Sequence, residues 1–130
     1  MKYLEAALLS LLAVFAPVKA AVITVAVLTI LDMVMGVLAA RKRGEPITSS
    51  GFKRTVGKIA LYETALCMGF LVQQYLTGDI FPASKLIAAL IGLVECSSIL
   101  ENMDTLNGSP LFKTIISRIT QSQSDLEKRP

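Results

Sequence analysis

Three long apolar stretches dictate what this chain can become. Ala20–Ala40 is interrupted only by Thr24, Thr29 and Asp32, Ile59–Leu76 carries Glu63, Gln73 and Gln74, and Phe81–Leu100 carries Ser84, Lys85 and Glu95. A helix needs roughly 20 mostly apolar residues, at about 1.5 Å rise each, to cross the hydrocarbon core of a bilayer. Each stretch meets that length. Charged residues make up 18% of the chain, against about a quarter in soluble domains, and they cluster between the apolar stretches. With 53% hydrophobic residues and a mean hydropathy of +0.60, the 130 residues read as one integral membrane domain.

The placement of charge gives the topology. Arg41, Lys42, Arg43, Lys53, Arg54 and Lys58 stand against the single acid Glu45. A basic patch of this kind can bind nucleic acid, but a short segment joining two spans is better explained as a cytoplasmic basic loop held by the positive-inside bias, with no nucleic-acid partner. Ala20–Ala40 then runs inward, Ile59–Leu76 outward, and the next helix returns the C-terminus to the cytoplasm. The connection Thr77-Gly78-Asp79-Ile80 has turn formers and no basic residue, as expected of an outer loop.

The N-terminal run Leu4–Val18 is about two-thirds of a spanning length and leaves three readings open: a short first span, a helix at the interface, or a signal cleaved after Ala20. The expected fold is therefore all-α, a multi-pass membrane protein with three or four transmembrane helices in residues 1–110. Residues 111–130 are expected to form a cytoplasmic amphipathic helix and tail, because Leu111, Phe112, Ile115, Ile116 and Ile119 recur at three- and four-residue spacing.

Chemistry of the catalytic kind has little to work with. The chain has no histidine, the commonest acid–base group and metal ligand. Cys67 and Cys96 fall inside apolar runs without disulfide or metal spacing and read as inert buried thiols. No cofactor, metal or catalytic residue is expected, and the chain reads as a non-enzyme.

The informative residues are the ionisable ones inside the spans. A charge at the bilayer centre costs about 2.5–3.5 kcal/mol on insertion scales, so Asp32, Glu63, Lys85 and Glu95 each need a partner, a proton or a wet cavity. Asp32 and Gly36, one turn apart, form a small polar stripe that suits a subunit contact, a pore lining or an internal packing seam. Glu95, Ser98 and Asn102 share a second face, whereas Glu101 and Asp104 fall on other faces toward the cytoplasmic exit. Glu63 is placed to reach Lys58 or the basic loop, and Lys85 to snorkel to the outer surface.

Leu31-Asp32-Met33-Val34-Met35-Gly36, the basic and serine-rich segment with Ser49-Ser50-Gly51 and Gly57-Lys58, the stretch Glu95-Cys96-Ser97-Ser98-Ile99-Leu100-Glu101-Asn102, and Gly108 with Pro110 closely resemble the phage holin family that includes clostridial toxin-secretion holins. The resemblance runs over roughly residues 25–120, most specifically at Glu95-x-x-Ser98-Ile99-x-Glu101-Asn102. Two positions depart from it: Val94-Glu95 stands where relatives often have Asn-Glu, and Ser109 replaces a common proline. The resemblance implies a homo-oligomer in the bacterial inner membrane that opens the bilayer for an endolysin, or for a large secreted protein, without required direct contact. A membrane scaffold or antiholin-like regulator and a small ion channel are the competing readings.

Overall fold

The computed structural model describes residues 1–110, 112–115 and 117–118. It is helical, with no strand among the described residues. Four helices follow one another: α1 (Lys2–Val14), α2 (Lys19–Arg43), α3 (Ser49–Val72) and α4 (Ala83–Asn107). The last three are long and apolar enough to cross a membrane. At 25 residues, α2 and α4 each extend about 37 Å, longer than a hydrocarbon core of roughly 30 Å.

Local sequence explains each boundary. Pro17 lies in the short 3-10 turn Ala16–Val18 between α1 and α2; proline lacks an N–H and its ring excludes the preceding turn, so a continuous helix from Lys2 is broken there. The C-terminus of α2 closes at Gly44, whose φ of 73° is the left-handed conformation that glycine adopts without penalty. Gly44 N–H donates to Arg41 O at 3.1 Å and Glu45 N–H to Ala40 O at 3.0 Å, the paired bonds of a Schellman ending. After Val72, α3 widens into a π turn over Gln73–Thr77 and a 3-10 turn over Gly78–Ile80.

α2, α3 and α4 pack as a three-helix bundle. Its apolar core is Val18, Val25, Leu66, Phe70 and Ile91, extended by Phe15, Tyr62, Ile87 and Ala88 among others. This core lies toward the end of the bundle that carries Thr77–Ile80, here termed the far end; the opposite, basic end carries residues 41–54. Phe15 and Phe70 meet there with ring centroids 5.8 Å apart. The helices approach closely at Gly69, where an added Cβ would lie 2.5 Å from Ile87 Cδ1 and 3.4 Å from Ser84 Cα. The Gln73 side-chain oxygen accepts from both Ser84 N–H and Ser84 Oγ, at 3.2 and 2.7 Å, so α3 caps the start of α4.

The outward surfaces are apolar. Ile23, Val27, Ile30, Leu31, Val34 and Leu38 are all exposed on α2, as lipid-facing residues must be when the bilayer is the solvent. Three threonine hydroxyls on these helices are satisfied locally: Thr24, Thr29 and Thr64 donate to carbonyls four residues earlier at 2.7–2.9 Å.

Several expectations change. The segment expected to be a basic loop from Arg41 to Lys58 is mostly helix: Arg41, Lys42 and Arg43 form the last turn of α2, and Lys53, Arg54 and Lys58 lie in α3. A helix needs apolar residues only within the hydrocarbon layer, so α3 begins ten residues before its apolar pattern does. α2 likewise extends past Ala20–Ala40 at both ends, whereas α4 starts only at Ala83, after Phe81 and Pro82, and runs past Leu100 to Asn107. α1 has 13 residues, about 20 Å, and is not among the three helices of spanning length and hydropathy; every described side chain on it is exposed. Cys96 is exposed and Cys67 half-buried, rather than both buried, and both are free thiols. Of the tail, residues 112–115 and 117–118 are helical; Leu111, Ile116, Ile119 and residues 120–130 lie outside the described residues, and with them most of the expected amphipathic helix.

Candidate functional site

Polar side chains from all three spans meet in one network. Asp32 lies near the middle of α2 and Glu95 at the centre of α4, while Lys58 and Tyr62, one turn apart, face them from α3. Lys58 Nζ donates to Asp32 Oδ2 at 2.9 Å and to both Glu95 oxygens at 3.0 and 3.3 Å. Tyr62 OH donates to Glu95 Oε1 at 2.9 Å, and Asn102 Nδ2 donates to Asp32 Oδ1 at 3.3 Å. Each helix thus contributes at least one group, and five side chains form a continuous hydrogen-bonded set.

Burial grades across this set. The Glu95 side chain is 0% exposed, that of Asp32 14% and that of Lys58 29%. A fully enclosed carboxylate is tolerable only with its hydrogen bonds made and its charge matched, and Glu95 has an ammonium and a phenol. With all three ionisable groups charged, two carboxylates face one ammonium, leaving one formal negative charge that the Tyr62 and Asn102 dipoles partly offset.

The exposed side of the network opens into a cleft of about 660 Å³. Its lining includes Asp32, Lys58, Ser98 and Asn102, Gly36 and Ala40 of α2, Phe52 and Thr55 of α3, and residues 45–48 of the α2–α3 connection. Gly36 sits beside Asn102: a Cβ there would lie 3.7 Å from Asn102 Nδ2, an ordinary contact. In the same lining, Arg43 makes a two-pronged bond with Glu45 at 2.7 and 3.0 Å; this hydrogen bond holds the exposed Glu45 carboxyl below its ordinary range.

The basic end of α4 is tied by two further groups. Lys42 Nζ donates to Leu106 O, placing a cation on the negative end of the helix dipole. Asp104 is buried, and its two oxygens accept from Phe112 N–H at 3.0 Å and Lys113 N–H at 3.2 Å. It therefore caps the start of the tail rather than simply marking an exit to water, as the sequence suggested.

The residues singled out from sequence thus divide. Asp32, Glu95 and Asn102 meet directly, and Gly36 and Ser98 line the adjoining cleft. Lys85 is exposed near the start of α4, and Glu101 is exposed toward its other end. Glu63 does not reach Lys58, which is committed elsewhere; both Glu63 oxygens are shielded and accept no hydrogen bond among the described residues. The bridging role of Lys58 and the part played by Tyr62 were missed. The signal was their four-residue spacing, which puts an ammonium and a phenol on one helical face.

This arrangement occurs in a chain whose match to known proteins covers most of its length: the bacteriophage holin family model matches residues 10–123. The chain belongs to the bacteriophage holin family. No curated protein and no solved structure matches it. Membership, together with three apolar helices of spanning length, makes it a holin-type integral membrane protein, and the Asp32–Lys58–Glu95 network is the polar centre of this holin-type bundle.

Proposed function

We propose that this holin-type protein gathers as a homo-oligomer in the bacterial inner membrane and permeabilises it, giving an endolysin access to the cell wall. The observation that carries the reading is the family match over residues 10–123, on a chain whose three long helices present apolar faces outward. The basic end, with Arg41–Arg43, Lys53 and Arg54, is cytoplasmic by the positive-inside bias, which puts the C-terminus in the cytoplasm. Subunits accumulate until contact between protein faces prevails over dispersal in lipid. Asp32, Gly36, Glu95, Ser98 and Asn102 then line the lesion or hold its helices together. No bond is made or broken in a substrate; the work is done by rearranging helices.

Induction of the chain alone in bacteria, with membrane potential and viability followed over time, tests this directly. The expected outcome is an abrupt loss of potential, and lysis when an endolysin that lacks its own export signal is co-expressed. Sustained growth at full potential despite abundant membrane-inserted protein refutes it. Loss of potential without endolysin release points instead to a small ion channel.

A further inference from the structure

The two halves of α3 are held by different means. In the far half, Leu66, Gly69 and Phe70 are buried, Leu66 and Phe70 join the apolar core, and Gly69 is pressed against Ser84 and Ile87. In the basic half, from Ser49 to Ile59, Thr55 is the sole buried residue, and the 660 Å³ cleft lies between this stretch and α2. Thr55 bonds within its own helix, to Gly51 O. Among the described residues, the interhelical hydrogen bonds and ion pairs of this half are those of Lys58 alone, with Tyr62 adding one bond a turn further on. α3 is a lever clamped by packing at one end and fastened at the other by a single ammonium.

We propose that Lys58 is a latch: the single subunit is a closed form, and release of Lys58 from Asp32 and Glu95 lets the basic half of α3 swing outward about the Gly69 contact, uncovering the polar faces of α2 and α4. Three physical points favour motion there. Apolar packing resists separation along a whole face, whereas an ion pair is lost all at once when its geometry fails. The latch faces a cleft rather than a packed interior, so the ammonium has room to withdraw. Once withdrawn, it leaves Asp32 and Glu95 without their cation, and these must find new partners or water. The consequence for membrane opening rests on the holin reading, but the hinge itself does not.

Spin labels on the full-length chain in bilayers test the hinge, with Cys67 and Cys96 replaced by alanine. One pair is placed at Phe52 and Glu101, exposed positions of α3 and α4 toward the basic end, and a control pair at Leu71 and Leu86, exposed at the far end. Distances are compared among the parent, Lys58→Met, and the charge-free combination Asp32→Asn/Lys58→Met/Glu95→Gln. The Phe52–Glu101 distance is expected to lengthen and broaden, by up to about one helix diameter, roughly 10 Å, with the Leu71–Leu86 distance unchanged. Should Lys58→Met fail to accumulate, the charge-free variant decides, because it leaves no charge of the network unpaired. A Phe52–Glu101 distance equal to the parent's in that variant overturns the latch, as does equal lengthening of both pairs.

Induction of the same variants in bacteria gives the second arm. Earlier onset of depolarisation than in the parent supports the latch, and an unchanged onset beside a lengthened distance overturns its part in opening. If neither parent nor variants depolarise the cell, the holin reading fails while the distances still decide the hinge.

Discussion

Replacing Lys58 by methionine removes one charge and keeps most of the aliphatic stem, which isolates what the ammonium does for stability. In the closed form Glu95 would retain Tyr62 as a donor at 2.9 Å but lose its cation at a site where the parent's carboxylate is 0% exposed. Breaking a buried pair from one side costs about 3–5 kcal/mol, because the surviving charge is left uncompensated. The lower end applies here: the Lys58 side chain is 29% exposed, and Asp32 faces the same cleft, so water takes up part of the loss. A destabilisation of about 3 kcal/mol is expected for Lys58→Met. The charge-free triple substitution should cost no more than about 1 kcal/mol, since neutral side chains of similar shape replace all three ions and none is left without its counter-charge. Unfolding in mixed micelles of increasing denaturing-detergent fraction, followed by far-ultraviolet circular dichroism, measures both. The reasoning fails if Lys58→Met lies within about 0.5 kcal/mol of the parent, the range of an inconsequential surface change. It fails equally if the triple variant is the less stable of the two.

Two further perturbations probe the packing and the tail. Gly69→Ala places a Cβ 2.5 Å from Ile87 Cδ1, so it should cost about 1 kcal/mol by overpacking, and adding Ile87→Val, which deletes that methyl, should restore most of it; additive losses in the same micelle assay would show that the contact does not set the helix spacing. Asp104→Ala removes the acceptors of Phe112 and Lys113 N–H, a loss of about 1 kcal/mol for a capping carboxylate; hydrogen exchange at those two amides should quicken roughly fivefold or more with bilayer insertion unaltered, and unchanged exchange would remove the capping role.

How much of this was legible beforehand depends on which physical rule each residue obeys. Asp32, Glu95 and Asn102 stood out because a polar group in an apolar helix needs a partner, and their spacing put them on defined faces. Their partner was concealed by the rule that located the loop. Charge bias assigns basic residues to the water outside the bilayer, and Lys58, one residue before the apolar run, was counted with Arg41–Arg43. Nothing in hydropathy reveals that α3 starts at Ser49, since outside the hydrocarbon a helix can be as polar as a loop. Tyr62 was hidden for the opposite reason: its ring suits an apolar run, and only the partner across the bundle shows that its hydroxyl matters. Asp104 was correctly placed near the end of α4, but its acceptance of two backbone donors depends on the Gly108 turn bringing Phe112 and Lys113 back beside it. The ends of α1 and α2 rest on local chemistry at Pro17 and Gly44, yet neither residue was read as a stop: the N-terminal run was carried through Pro17 to Val18.

The outward face of α2 has a consequence for how many copies can come together. Ile23, Val27, Ile30, Leu31, Val34 and Leu38 are exposed, and the neighbouring Thr24 hydroxyl is already spent on Ala20 O, so this face offers neighbours shape without directional bonds. Contacts of that kind tolerate sliding and rotation, whereas a fixed ring requires each interface to repeat one angle. While Asp32 remains turned inward, encounters along α2 therefore define no stoichiometry, and early clusters should be polydisperse rafts whose boundaries are set by subunit supply.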